Sequence, residues 1–330
     1  MPKRIGLGSP PTHQGVIKLD PTLAALIKLM TAIYCSSIVS GLQICDNKQK
    51  LQFFCVCIAD ADIRMYWRTF MDRVTEITSR ITSKHFAQLW QFYRDAFRND
   101  EECLQFFYDI LRAEPVSASM QYLIEDGEGY WVDNNGSKIS DSVFVPRRML
   151  NAVERMVSAA RDMEMIRRGK DVFKVVFIVT CAETLQKLAG RDKDENGRGV
   201  SKRDLLFDLF EEYTTDEDKQ YIACRFKHDN EEGTELEDNS FKYFVGVINE
   251  YRNCAAHEGE YWEYCFNNNY DGYPVLLVVK IDLENFSGRD EKKKEHCFTT
   301  EISYSEFEKI FIRTCVAFIK RYAQEMPDTH

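Results

Sequence analysis

The chain has no CxxC pair, no excess of basic residues and no uncharged run long enough to span a bilayer. Each absence closes off a class of protein. The 11 cysteines are odd in number, and the nearest two, Cys55 and Cys57, are a single residue apart. Nothing pairs cysteine or histidine twice at ligand spacing, so neither a metal nor a cofactor is expected. Scattered among apolar residues, the cysteines read as small buried hydrophobes in a reducing compartment. Leu29 to Cys45 carries no charge. It is slightly short for a membrane span and holds Thr31, Ser36, Ser37, Ser40 and Gly41, so it reads as a packed helix. Pro10, Pro11 and Gly15 interrupt the start before any apolar run, which argues against a secretory signal. These absences lead to the expectation of a cytoplasmic protein without a membrane partner.

Charge is unevenly divided. Of the 43 basic and 53 acidic side chains, residues 1–150 hold 17 of each and residues 151–330 hold 26 and 36. The whole net charge of −10 therefore lies in the second half. A nonspecific nucleic-acid binder shows the opposite balance, which argues against a broad nucleic-acid groove there, although a small site needs only a few local cations.

What is present is ample material for a core: 44% of the residues are hydrophobic and 13% aromatic. At 330 residues the length points to two domains, because single cores stop growing at roughly 250–300 residues. The spacing predicts a mainly α protein. Asp20-Pro21 opens a helix to about Val39, and further helices run from Leu51 to Ile81, Ser83 to Phe97 and Asp100 to Leu111. Phe86, Trp90, Tyr93 and Phe97 recur at three- and four-residue steps, the mark of a core face. Tyr122-Leu123-Ile124 and Tyr130-Trp131-Val132 flank Asp126-Gly127, and Asn134-Asn135-Gly136 follows as a further turn, so a small β-hairpin is expected. Pro146 closes it and Arg147 begins a new helix, which sets the boundary between an N-terminal helical domain, 1–146, and a second domain, 147–330.

In the second domain Asp171 to Leu188 is an apolar helix with one acid, Glu183, in its interior. Ser201 to Asp204 is a capping signature for the next helix, Asp216 to Lys227 a short one, and Phe241 to Ala256 a third. Pro274 to Leu283 and His296 to Tyr304 read as a strand pair, and Ser305 to Glu308 as the cap of a final helix. Lys292-Lys293-Lys294 reads as a hairpin tip. His85, His228 and His296 show no partner pattern and read as structural or exposed.

The third of these helices carries Tyr251-Arg252-Asn253-Cys254-Ala255-Ala256-His257. A permanent cation, an amide and a titratable imidazole are the parts needed to cut a phosphodiester without a metal. Imidazole takes or gives a proton near neutral pH, and a guanidinium stabilises charge on phosphate oxygens. In a continuous α-helix residues five apart diverge by about 140°. Arg252 and His257 converge only if the helix stops between them, for which Glu258-Gly259 is suited.

With its apolar helix Phe177 to Leu185 bearing Glu183, the capped helix after a polar loop and the pattern Arg252, Asn253, His257, the segment from about Arg147 to Gln324 resembles the HEPN superfamily. That resemblance covers a little over half of the chain. It implies a helical bundle, here with a small inserted β-hairpin, that forms a homodimer across the motif helices. It also implies an RNA substrate and a metal-independent endoribonuclease leaving a 2′,3′-cyclic phosphate, as in toxins, phage-defence systems and CRISPR-linked effectors. Arg252, Asn253 and His257 would be catalytic. Glu183 reads either as the partner that holds Arg252 in a buried ion pair or as a carboxylate on the solvated edge of its helix. Two positions after the histidine, where members paired with a nucleotidyltransferase antitoxin carry tyrosine, stands Gly259. Tyr261, Trp262 and Tyr264 read equally as RNA-stacking rings or as a protein interface. Two other readings stand beside the nuclease: an inactive dimerisation or docking module with a regulatory partner or larger complex, and nucleic-acid recognition by the N-terminal aromatic helices with Arg64, Arg68, Arg73 and Arg80.

Overall fold

The computed structural model describes residues 61–125, 128–167, 170–229, 240–258, 266–267, 274–283 and 293–326, with the backbone alone at 61–64, 66–67, 229 and 257–258. The expected helix from Asp20 to Val39 lies outside them. Among the described residues there are nine α-helices and two small antiparallel sheets. The fold is therefore mainly helical, as the spacing predicts, and no helix among these residues is long and apolar enough to cross a membrane.

Helices α1 (Ala61–Arg80), α2 (Ser83–Tyr93) and α3 (Asp100–Leu111) come first. Their ends are set locally. Thr82 Oγ1 accepts from the His85 amide to start α2, and Asn99 Oδ1 accepts from Glu102 to start α3. Asp100, Glu101 and Glu102 in the first turn of α3 complement the helix dipole. Phe86, Trp90 and Tyr93 are buried against Phe107, so the aromatic stripe is core and its rings are closed to nucleic-acid bases. The α-helix ends at Tyr93, four residues short of the expected Phe97, and tightens into a 3₁₀ turn at Arg94–Ala96.

Strands β1 (Met120–Glu125) and β2 (Glu128–Asp133) form the expected hairpin. The turn that follows explains itself chemically. Asp133 Oδ1 accepts from the amides of Asn135 and Ser137, and Gly136 sits at φ 79°. The same bonds recur at Asp194, Asn196 and Arg198, with Gly197 at φ 74°. An Asp-x-Asn-Gly string thus makes one turn twice, the aspartate filling amides and glycine taking the left-handed position.

Helix α4 (Val145–Ile166) begins two residues before the expected Arg147, and Pro146 lies in its first turn rather than ahead of it. Proline is tolerated there because that amide has no partner within the helix. Next comes α5 (Asp171–Leu188), apolar on most sides and central to the bundle. It is followed by α6 (Lys202–Tyr213), α7 (Asp216–Arg225), α8 (Ser240–Asn253) and α9 (Tyr304–Glu325). A single buried apolar cluster runs from Phe70 to Ile319, across positions 146 and 147, and Tyr93 Oη donates to the Leu150 carbonyl at 2.8 Å.

Three expected boundaries move. The end of the expected 216–227 helix is strand β3 (Phe226–Asp229), because Phe226 pairs with Thr300 and stacks on Phe298. The expected strand pair, β4 (Val275–Ile281) and β5 (Lys294–Thr300), is therefore two-thirds of a sheet ordered β3-β5-β4. The cap of α9 is Ser303, not Ser305, since Ser303 stands three residues before Glu306, and the two exchange bonds reciprocally.

Buried Glu114 fastens the first helices to α4. Arg147 Nε lies 3.3 Å from its carboxylate, and Arg80 donates to its backbone carbonyl at 2.9 Å. Burial outweighs these cations and pushes the carboxyl up from 4.5 to about 7. A raised carboxyl binds more protons folded than unfolded, so its contribution to stability falls as pH rises from about 4.5 to about 7. Urea unfolding of the protein and of Glu114→Gln across this range should show the native chain losing up to about 3 kcal/mol relative to the variant. A constant difference contradicts the assignment.

A candidate active site at the end of helix α8

Helix α8 is buried along nearly its whole length, with Tyr243, Phe244, Val247, Ile248 and Tyr251 in the core. Its last turn therefore carries Arg252 inward, to 7% exposure. A cation buried so far must be paired. Glu183, from the interior of α5, supplies the charge: Arg252 Nη2 donates to Glu183 Oε1 at 2.5 Å, and Nη1 donates to Asn253 Oδ1 at 3.0 Å. The position at a helix C-terminus adds to this, since the dipole favours a cation there. The expected holding of Arg252 by Glu183 is thus present as a short ion pair.

The two preceding residues bind other elements. Glu250 accepts from Lys293 Nζ at 2.6 Å, and Tyr251 Oη donates to the Val278 carbonyl of β4 at 3.0 Å. Successive residues of a helix point about 100° apart, so positions 250, 251 and 252 reach the segment before β5, the sheet and α5 in turn. The sheet is tied to the motif helix by this arrangement. Lys293 belongs to it rather than to a simple hairpin tip, and Lys294 is the first residue of β5.

Past Asn253 the chain does not stop but widens: Cys254–Glu258 form a π turn. Glu258 is the last residue of this turn, and the expected stop at Glu258-Gly259 falls in part on Gly259, which lies outside the described residues. A turn closed by i→i+5 bonds brings positions five apart nearer to one azimuth than an α-helix does, and such turns recur at functional sites. Backbone position 257 is therefore rotated back toward that of 252. The side chain of His257, and all of Tyr261, Trp262 and Tyr264, lie outside the described residues.

Farther along, Phe266 and Asn267 are anchored again. The Phe266 amide donates to Asp171 Oδ2 at 2.8 Å, and the Asn267 amide to the Ile302 carbonyl at 2.8 Å. Asp171 is itself buried beside Lys174, 2.8 Å from Oδ1, and Lys174 reaches Glu164 at 2.5 Å.

Sequence reasoning misses two features of this region. Lys202, the first residue of α6, lies 3.8 Å from Glu183 Oε2 and adds a second cation. His228 and His296, read as partnerless, contact each other, Nε2 to Nδ1 at 3.0 Å, on neighbouring strands. Burial and nearby Lys294 push the His296 imidazole below its ordinary value. Only the β3–β5 register shows this pair, and no local signal gives that register. His85 bonds to Asn151 Oδ1 at 2.8 Å, a structural contact. Of the N-terminal arginines, Arg73 bonds to Glu101, Arg80 bonds to the Glu76 carboxylate and to three backbone carbonyls, Arg68 is exposed, and the Arg64 side chain lies outside the described residues. Among the described residues no group of three or more His, Cys, Asp or Glu is placed to hold a metal ion. No known family model, curated protein or solved structure matches the chain.

Removing Glu183 leaves the Arg252 charge buried with only a neutral amide beside it. Glu183→Ala should therefore lower unfolding free energy by about 3–5 kcal/mol in urea titrations. A loss below about 1 kcal/mol would mean that the pair is solvated and energetically minor.

Proposed function

We propose that the chain is a metal-independent endoribonuclease of HEPN-like design, which cuts RNA by attack of its own 2′-hydroxyl and leaves a 2′,3′-cyclic phosphate. One observation carries the reading: a buried, doubly bonded arginine and its neighbouring asparagine stand at the point where α8 widens into the turn bearing His257. Arg252 stabilises the charge that builds on the phosphate oxygens in the transition state. His257 moves the protons, taking one from the 2′-hydroxyl or giving one to the 5′-oxygen leaving group. Asn253, already bonded to Arg252, positions the guanidinium and the strand. Two copies of the motif face one another in a homodimer, for which Tyr261, Trp262 and Tyr264 are the candidate RNA-stacking or interface residues. The preceding helical region, residues 1–146, senses, inhibits or tethers, as befits a toxin or defence effector.

A second reading is favoured by a specific observation. Arg252 is both bonded and 7% exposed, and the surrounding half of the chain is acidic. On that reading the bundle is an inactive dimerisation or docking module, and the motif holds a helix end together.

Incubation with single-stranded and structured RNA in EDTA separates the two. The nuclease reading predicts fragments ending in 2′,3′-cyclic phosphate and 5′-hydroxyl, with the rate falling about 10²–10⁴-fold in His257→Ala. Intact RNA with the native protein on both substrates assigns the domain to docking.

A further inference from the structure

Glu183 is shared by two cations on unequal terms. Arg252 is short-bonded and closed in, and its second nitrogen is held by Asn253. Lys202 stands at 3.8 Å from the other carboxylate oxygen, with 62% of its side chain exposed. An exposed pair at that distance is screened by water and salt and is weakly held. One cation is fixed and the other is free to leave.

The frame that puts Lys202 there is rigid. Ser201 caps α6, its Oγ accepting from the Asp204 amide. One turn beyond Glu183 on α5, Gln186 Nε2 donates to the Leu205 carbonyl of α6 at 3.1 Å, which locks the register of the two helices. The neighbouring Arg203 is occupied by Asp204, its Nε bonded to Oδ1 at 2.8 Å. Lys202 is thus the exposed cation of the first turn that faces the Arg252 site. A cation at a helix N-terminus also works against the dipole, a local conflict of the kind found where a ligand supplies the missing negative charge.

We infer that Lys202 is a phosphate-binding residue for an RNA strand entering the Arg252 site, contacting a phosphodiester beside the one that is cut. The inference rests on the nuclease reading for its ligand. The exchange is favourable for a physical reason. When Lys202 turns from Glu183 to a phosphate, the carboxylate keeps its short bond to Arg252, and no buried charge is left unpaired. Lys202 therefore recruits the strand without loosening the guanidinium that is to meet the transition state.

Binding is separable from cleavage. The probe is a short fluorescent single-stranded RNA carrying 2′-O-methyl groups throughout, so that it has no attacking hydroxyl, titrated by anisotropy over a range of salt. Lys202→Ala should weaken binding about fivefold at 0.1 M salt and make the plot of log affinity against log salt shallower by about 0.7, the loss of one single-strand phosphate contact. Lys202→Arg should restore both. Unchanged affinity and slope in Lys202→Ala overturn the inference even if the native protein cleaves RNA. A Lys202-dependent slope in a protein that does not cleave unmethylated RNA upholds the contact and removes the nuclease reading. Absence of RNA binding by the native protein overturns both.

Discussion

The ion pair between Glu183 and Arg252 is the constraint on which the candidate site depends. Taking a guanidinium out of water is expensive, and α8 does so because its other faces are needed for the core. The carboxylate that offsets this cost must come from another buried helix, which explains why an acid sits within the apolar run of α5. The pair is thus a joint between the two helices as well as a piece of chemistry. Replacing it with apolar residues of similar volume would serve packing as well or better, so its presence fits a use for the charge.

Around that joint the fold restricts motion. Glu250, Tyr251 and Arg252 fasten the end of α8 to three elements, and Asp171 catches the chain again at Phe266. Between these anchors the backbone leaves the α conformation at Cys254. The π winding of Cys254–Glu258, directly after the anchored end of α8, is a way to present backbone position 257 at a set angle to Arg252. In a half of the molecule where acids outnumber bases, two cations meet at Glu183: Arg252 inside and Lys202 at the rim.

Much of this was legible because it is local. The helix start at Asp100, the cap at Ser201 and the turn at Asn134-Asn135-Gly136 rest on bonds within four residues, and the span of α5 follows from its apolar run. Glu183 stood out because a lone acid in such a run needs a partner. What was not legible is non-local. Strand β3 exists because Phe226 meets Phe298, some seventy positions on, and overrides the helical pattern before it. Lys202 reads as an ordinary helix-start residue until the α5–α6 register sets it beside Glu183. The π turn at Cys254–Glu258 depends on how α8 is held by its neighbours and leaves no local signature in the sequence. The two-residue shift from Ser305 to Ser303 shows how a correct cap chemistry is misplaced when two serines each stand three residues before a glutamate, Ser303 before Glu306 and Ser305 before Glu308.

A double-mutant cycle tests the central claim most directly: urea unfolding of the native chain, Glu183→Gln, Arg252→Met and the double variant. A buried, mutually dependent pair predicts a coupling of at least about 2 kcal/mol, with the double variant more stable than the sum of the single losses implies. Additive losses, with a coupling within about 0.5 kcal/mol of zero, would contradict it and reduce Arg252 to an unremarkable helix end.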